Sequence, residues 1–324
     1  MRVKIPDISR LIYKEDVLDT LKSEYSTIGT LWVSHQMEWS NRIYLMFKDH
    51  DKALIIIYLI NKTLAFYSKN FIKLSYQEYH SKESLNIEKF NITEISKTLN
   101  IPKETTRRKI FELQSDGIIK KNKKNLRVCI IDKTIFPMLR PDNSIKSISG
   151  FLFIFSQIMV DEKILLNPVT TEELKKIIEK DFTYIWKMFY DMQITILLNY
   201  KKIFKDLETW HIFGTCIVNQ HLNTKKINEY NVDRENFIKS FALNEVTVGI
   251  NAMSISDITH IPRATVIRKL KKLLELKYLL IDKKKHYKPS VNFVKKLVPI
   301  QNNVLDDLAN FSTVVYNSVI LLID

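Results

Sequence analysis

A chain of 324 residues with 45% hydrophobic content has enough apolar surface for two domains of ordinary size, which excludes a disordered polypeptide. Only five Gly and eight Pro exclude a turn-rich all-β design, so the expected fold is mainly α. The formal charge of +14 points to a polyanionic partner, but Lys, Ile and Asn are abundant throughout, so the position of the charge says more than its sum.

Val17, Leu18 and Leu21 mark one face of a first helix over residues 14–25. Residues 43–67, with Leu45, Phe47, Leu54, Ile57, Tyr58, Ile60, Leu64 and Phe66, are apolar all round and predict a buried helical segment. Residues 68–90 are polar and aromatic, with Tyr76, Tyr79 and Phe90 as anchors of a connecting helix or loop. Residues 92–131, ITEISKTLNIPKETTRRKIFELQSDGIIKKNKKNLRVCII, then read as a short helix, a turn, a basic helix and a basic hairpin. Between Gly117 and Ile130 stand Lys120, Lys121, Lys123, Lys124 and Arg127, with no acid.

Pro137 and Pro141 break the chain, and residues 145–161 predict another apolar helix. Residues 162–171 look like a connection, because Pro168 and a Thr-Thr-Glu-Glu helix start come together there. The expected boundary near 165 gives two units, 1–165 and 166–324. In the second, residues 171–180 predict a capped amphipathic helix and 182–207 a long helix carrying Phe182, Tyr184, Trp186, Phe189 and Tyr190. Those rings form ordinary core or, alternatively, line a pocket for a small apolar effector. Residues 210–222 match the apolar helix of the first unit, 223–252 connect onward, and 291–324 close the chain as one or two apolar helices.

Residues 254–289 carry the motif again, SISDITHIPRATVIRKLKKLLELKYLLIDKKKHYKP. Ile255 and Ile258 lie on the short helix, and the turn is His260-Ile261-Pro262, with Pro suited to the first turn of the next helix. Val266, Leu270, Leu273 and Leu274 form its core stripe, and Arg263, Thr265, Arg268, Lys271 and Lys272 the opposite one. The run 278–281, the tip 282–286 and Tyr287-Lys288 predict a strand, a basic turn and a returning strand. An offset of 160 residues aligns Pro102 with Pro262, Thr105 with Thr265, Arg108 with Arg268, Lys109 with Lys269, Ile110 with Leu270 and Leu113 with Leu273. Ile92 and Ile95 align with Ile255 and Ile258 only if the second turn is three residues shorter. Phe47-Lys48-Asp49 resembles Phe204-Lys205-Asp206, and residues 148–158 fall on 308–318, so the chain reads as a tandem duplication.

The fold class expected is therefore mainly α with small β-wings: two tandem winged helix-turn-helix units, each flanked by apolar helices. B-DNA's major groove admits an α-helix, whose Arg and Lys read guanine and whose Thr and aliphatic side chains meet the thymine methyl. The candidate readers are Lys103, Glu104, Thr105, Arg107 and Arg108 in the first unit, and Arg263, Ala264, Thr265, Ile267 and Arg268 in the second. The two sets differ, so identical half-sites are not expected. Lys123, Lys124 and Arg127 in the first hairpin and Lys283, Lys284, Lys285 and Lys288 in the second would reach phosphates or the adjacent minor groove. The alternative for both is a solvated charged face.

Cys129 and Cys216 do not coincide under the offset, as expected for reduced, buried thiols. His35, His50, His80, His211, His221, His260 and His286 are scattered without metal-ligand spacing, and no HExxH, CxxC or Gly-rich phosphate loop is present, so neither metal, cofactor nor catalysis is expected. His260 reads as a polar turn residue or phosphate contact. The N-terminus lacks a signal-peptide core, and the apolar runs 53–60 and 151–160 are short against the roughly 20 residues a bilayer needs, so a cytoplasmic location and no membrane partner are expected.

Each unit, with helices ahead of the motif, the segment ISDI…IPRATVIRKLKKL…YLLIDKKKHYK and apolar helices behind it, resembles a winged-helix transcription regulator of the MarR type. The resemblance covers about 40 residues per unit, and IPKETTRRKIFEL in the first is the weaker match. In that family the outer helices form a homodimer and two winged domains bind successive major grooves of a pseudo-palindromic operator. The resemblance thus implies a fused pseudo-dimer that binds double-stranded DNA, either as a monomer or paired again as a homodimer. No residue identifies a small-molecule effector. A plasmid-type replication initiator with tandem winged helices and a winged-helix protein-interaction module are the alternatives.

Overall fold

Phe47-Lys48-Asp49 and Phe204-Lys205-Asp206 both mark the break between two long apolar helices. Lys48 and Lys205 take left-handed backbone angles, φ 51° and 70°. Each following Asp caps the next helix: Asp49 accepts from the Lys52 N–H at 2.9 Å, and Asp206 from the Thr209 N–H at 2.8 Å. The buried helical segment expected over 43–67 is therefore interrupted at this tripeptide.

A computed structural model of the chain describes residues 8–81, 84–88, 90–121, 128–132, 141–227, 231–243 and 248–323. Among these the fold is mainly α. The first half runs α1 (Lys14–Ser23), α2 (Tyr25–Phe47), α3 (His50–Lys69), α4 (Tyr76–His80), β1 (Ser84–Glu88), α5 (Ile92–Leu99), α6 (Lys103–Ser115), β2 (Ile119–Lys121), β3 (Val128–Asp132) and α7 (Asp142–Asp161). The second half runs α8 (Thr171–Lys180), α9 (Phe182–Phe204), α10 (Leu207–Ile227), α11 (Arg234–Leu243), β4 (Ile250–Asn251), α12 (Ala252–Thr259), α13 (Arg263–Glu275), β5 (Leu279–Ile281), β6 (His286–Pro289) and α14 (Val291–Ile323). Apart from a short 3-10 turn at Ile8–Arg10 ahead of α1, the order of the described elements is the same. Each half has an antiparallel three-stranded sheet, β1-β3-β2 and β4-β6-β5, with Leu85 and Ile119 opposite Ile131, and Ile250 and Ile281 opposite Tyr287. The third strand of each sheet falls where only a connection was expected. A five-residue strand such as SLNIE, burying Leu85 and Ile87, leaves a short periodic signal, and the two-residue β4 leaves none.

The chain forms two compact units that interleave the halves rather than follow the boundary near 165. The larger comprises 1–42, 146–175 and 204–324, the smaller 43–145 and 176–203. In the larger unit the start of α2 is clamped to residue 232: the Ser26 N–H donates to the Val232 carbonyl and the Val232 N–H to Ser26 Oγ, both at 3.0 Å. In the smaller unit the start of α9 makes the same clamp on residue 74. The Thr183 N–H donates to the Leu74 carbonyl at 3.1 Å, and the Leu74 N–H to Thr183 Oγ1 at 3.0 Å. Beside these clamps Tyr25 meets Phe237, and Phe182 meets Tyr79. The larger unit thus takes α1, most of α2 and most of α7 from the first half, and the smaller takes the end of α8 and nearly all of α9 from the second. The rings of α9 do core work: Phe182, Trp186 and Phe189 are fully buried and stack in series.

Helix α7 corrects the expectation drawn from short apolar runs, because its 20 residues match a bilayer in length and composition. It packs as a core helix. Ile148, Leu152, Phe155 and Met159 are buried, and the Tyr316 hydroxyl of α14 donates to the Leu152 carbonyl at 2.6 Å. Cys216 is buried in α10, where burial pushes its thiol up to about 12. Cys129 lies on β3 by its backbone alone.

Helices α6 and α13 end alike. The Ile118 N–H returns to the Leu113 carbonyl at 3.0 Å and the Tyr278 N–H to the Leu273 carbonyl at 2.9 Å, with Gly117 (φ 73°) and Lys277 (φ 58°) left-handed between. Gly adopts that region freely, whereas a Lys is strained there. Lys277→Gly is expected to stabilise the protein by about 0.5–1 kcal/mol in urea melts, and Gly117→Lys to destabilise it by a similar amount.

Candidate nucleic-acid interface

Two segments repeat one local design. Asn91 caps α5 by accepting from the Thr93 N–H, and Asn251 caps α12 by accepting from the Ser254 N–H. Both short helices end on a left-handed residue, Asn100 (φ 49°) or His260 (φ 58°). In both, a serine hydroxyl closes the turn: Ser96 Oγ donates to the Ile101 carbonyl and Ser256 Oγ to the Ile261 carbonyl, each at 2.7 Å. Pro102 and Pro262 are N-cap residues with extended ψ of 138° and 134°, one position ahead of the first turn expected for them.

The structure corrects the upstream alignment. Helices α5 and α12 have eight residues each and keep the offset of 160, so Ile95 corresponds to Ile255. Both are buried, while Ile258 is 44% exposed. Apolar spacing suggested a shorter second turn because Ile258 fits the helical period, but that position faces solvent.

The inner faces of α6 and α13 coincide. Thr106, Ile110 and Leu113 are buried in one, Val266, Leu270 and Leu273 in the other. Tyr278 stacks on Phe293, with ring centroids 3.5 Å apart, and Phe204 and Phe213 pack beside them. Each helix also turns one lysine inward, Lys269 buried and Lys109 half-buried, which sequence reading placed among the aligned positions without giving it a role. Lys109 Nζ lies 2.8 Å from Asp49 Oδ2, and Lys269 Nζ 2.7 Å from Asp206 Oδ2. The carboxylates are the helix caps described above, so each ion pair locks a basic helix onto the start of the long helix behind it. In the first copy Glu112 also reaches Lys109 and Lys52, at 3.3 and 3.1 Å. Burial disfavours the charged form of Asp206, but the Lys269 ammonium and the Thr209 hydroxyl and N–H outweigh it and hold the carboxyl below its usual range. Burial likewise disfavours charge on Lys109, yet Asp49 and Glu112 hold its pKa above the ordinary value.

With these groups turned inward, the outer faces are left to water. Lys103, Glu104, Arg107 and Arg108 are exposed on α6, and Arg263, Ala264, Ile267, Arg268 and Lys271 on α13, while Thr105 and Thr265 are half-buried. Arg107 lies 3.1 Å from Glu104, and Arg108 lies 3.7 Å from Glu112. The tip of the second hairpin is organised by Asp282. Its Oδ1 accepts from the Lys284 and His286 N–H groups at 2.8 and 2.9 Å, and its carbonyl from the Lys285 N–H at 3.0 Å. The hydrogen bonds to its carboxylate, first that of the His286 N–H, hold its pKa low. Lys283, Lys284 and Lys285 consequently project into solvent, and Lys288 is half-buried on β6. Lys123, Lys124 and Arg127 lie outside the described residues.

The chain matches no family model, no curated protein and no solved structure. What bears on function is therefore the geometry of these two surfaces. Among the described residues no three His, Cys, Asp or Glu side chains come together as a metal site. His35 and His221 are buried, and burial lowers each to about 3, while His260 is an exposed turn residue.

The paired cation gives a measurable consequence. Asp206 has a depressed folded pKa, so its contribution is complete above its unfolded value of about 3.9 and is lost as pH falls through the folded pKa. Lys269→Met should cost roughly 1–3 kcal/mol at pH 7, less than for a fully dry pair because the Asp206 side chain is 35% exposed. The gap to the parent protein should narrow as urea melts are taken toward pH 3. A gap that stays constant with pH would show that the charge pair is not its source.

Proposed function

We propose that the chain is a sequence-specific double-stranded DNA-binding transcription regulator built of two winged helix-turn-helix units. Helices α6 and α13 are the readers that enter adjacent major-groove half-sites. The basic hairpins reach phosphates or the neighbouring minor groove. The carrying observation is that two copies of the same helix, left-handed turn, helix and three-stranded sheet turn their apolar residues and one paired lysine inward and leave basic residues outward. A merely solvated helix face has no need of a second basic surface on the adjacent hairpin, and Lys283, Lys284 and Lys285 supply one.

The interleaving of the two halves in both compact units, with like clamps at the start of α2 and of α9, supports the reading as a fused pseudo-dimer of MarR-type organisation, in which one polypeptide does what two copies do in that family. The reading assigns no catalytic group, metal or cofactor, takes DNA rather than a membrane as the polyanion, and sets the protein in the cytoplasm. A replication initiator would share the tandem design and differ in binding iterated repeats instead of one pseudo-palindrome. A protein-interaction module would bind its partner without these outward cations.

Arg268→Glu combined with Arg107→Glu is expected to lower affinity for duplex DNA by more than about tenfold at moderate salt, since each lost phosphate neutralisation removes roughly 0.9 from the slope of log K against log salt. Fluorescence anisotropy over a salt series reads both quantities. Unchanged affinity in the double variant would remove α6 and α13 from the interface. Absence of duplex binding by the parent chain at low salt would end the DNA reading.

A further inference from the structure

The two readers are one scaffold carrying two different sets of outward side chains. Helices α6 and α13 have 13 residues each, begin after a proline N-cap with nearly the same backbone angles, and bury the same positions. At the second and fifth helical residues, one helical turn apart on the outward face, the first copy has Glu104 and Arg107 and the second Ala264 and Ile267. The change is correlated: an acid and a base that touch at 3.1 Å in one copy are both replaced by apolar side chains in the other. In water so exposed a pair adds little to stability, so the fold loses little by its replacement.

We infer that, within the DNA-binding reading on which this rests, the two copies read base pairs of opposite kinds and the natural target is an asymmetric duplex. A carboxylate beside a guanidinium presents an acceptor next to donors. In the major groove a C·G pair presents the complement, the cytosine N4 amino donor next to the guanine O6 and N7 acceptors. Glu104 and Arg107 match that edge. Ala264 and Ile267 offer no hydrogen bond and would strand such groups without partners, whereas they fit the C5-methyl of thymine. Ile267 is 48% exposed, so an apolar surface is available for that contact. Arg108 and Arg268, shared at the same outward position, supply the common cationic part of each contact. The first copy is the C·G reader and the second the thymine reader.

The test is selection of bound sequences from a random duplex pool by the full chain and by two double variants. E104A/R107I gives the first reader the outward residues of the second, and A264E/I267R does the reverse. All four positions are exposed, and thermal melts check that the variants stay folded. The parent chain is expected to enrich a site with one half containing a C·G pair and one half rich in thymine. E104A/R107I should enrich two thymine-rich halves, and A264E/I267R two halves with C·G pairs. Replacing the C·G pair in the parent site should lower parent affinity about tenfold and leave E104A/R107I unaffected. Like halves for the parent, or the parent motif retained in both variants, would overturn the inference while leaving the DNA reading intact. A parent chain that binds no duplex at low salt would overturn both.

Discussion

A lysine turned inward against a helix-capping carboxylate joins each basic helix to the long helix behind it. Lys109 and Lys269 sit on the inner side of helices that are otherwise strongly cationic, where an unpaired charge would be costly to bury. Asp49 and Asp206 resolve this because each is already fixed by N–H groups of the helix it caps. The ion pair thus joins the start of one helix to the middle of another, and rotation of α6 or α13 about its axis would break it. Together with the buried stripe beside it, Ile110 and Leu113 or Leu270 and Leu273, this contact fixes which face turns outward.

The same economy runs through the rest of the fold. Left-handed residues stand at corresponding places in both halves: Lys48 and Lys205, Asn100 and His260, Gly117 and Lys277. Each ends a helix at a fixed point, so the lengths of α5 and α12, and of α6 and α13, agree to the residue. The halves differ at outward positions such as 104 against 264 and 107 against 267, and keep apolar side chains at the buried positions 110 against 270 and 113 against 273.

Much of this design was legible in the sequence. Apolar periodicity located both basic helices, and the offset of 160 held from the short helices to the first hairpin strand, whereas Ile131 corresponds to Pro289 on the returning strand. The Phe-Lys-Asp repeat marked the duplication but lay inside the helices expected over 43–67 and 182–207, so the breaks there were not read. Position along the chain was readable because helices carry a strong 3.6-residue signal. Other features were not. Strand β4 has two residues, too few for any period, and the spacing of Ile255 and Ile258 supported a register that burial contradicts. Lys109 and Lys269 resembled their solvent-facing neighbours, because charge type does not reveal which side of a helix a cation occupies. The interleaving of the halves in the compact units was equally hidden, since no local pattern signals that residue 26 meets 232 or that residue 74 meets 183.

That interleaving also changes what dilution does to the molecule. In an assembly of two separate chains the completing helix arrives by collision, and its occupancy falls with concentration. Here the helix belongs to the same polypeptide as the unit that needs it, so the encounter is intramolecular. Completion of both units therefore carries no mass-action term. A protein made this way can be scarce without coming apart.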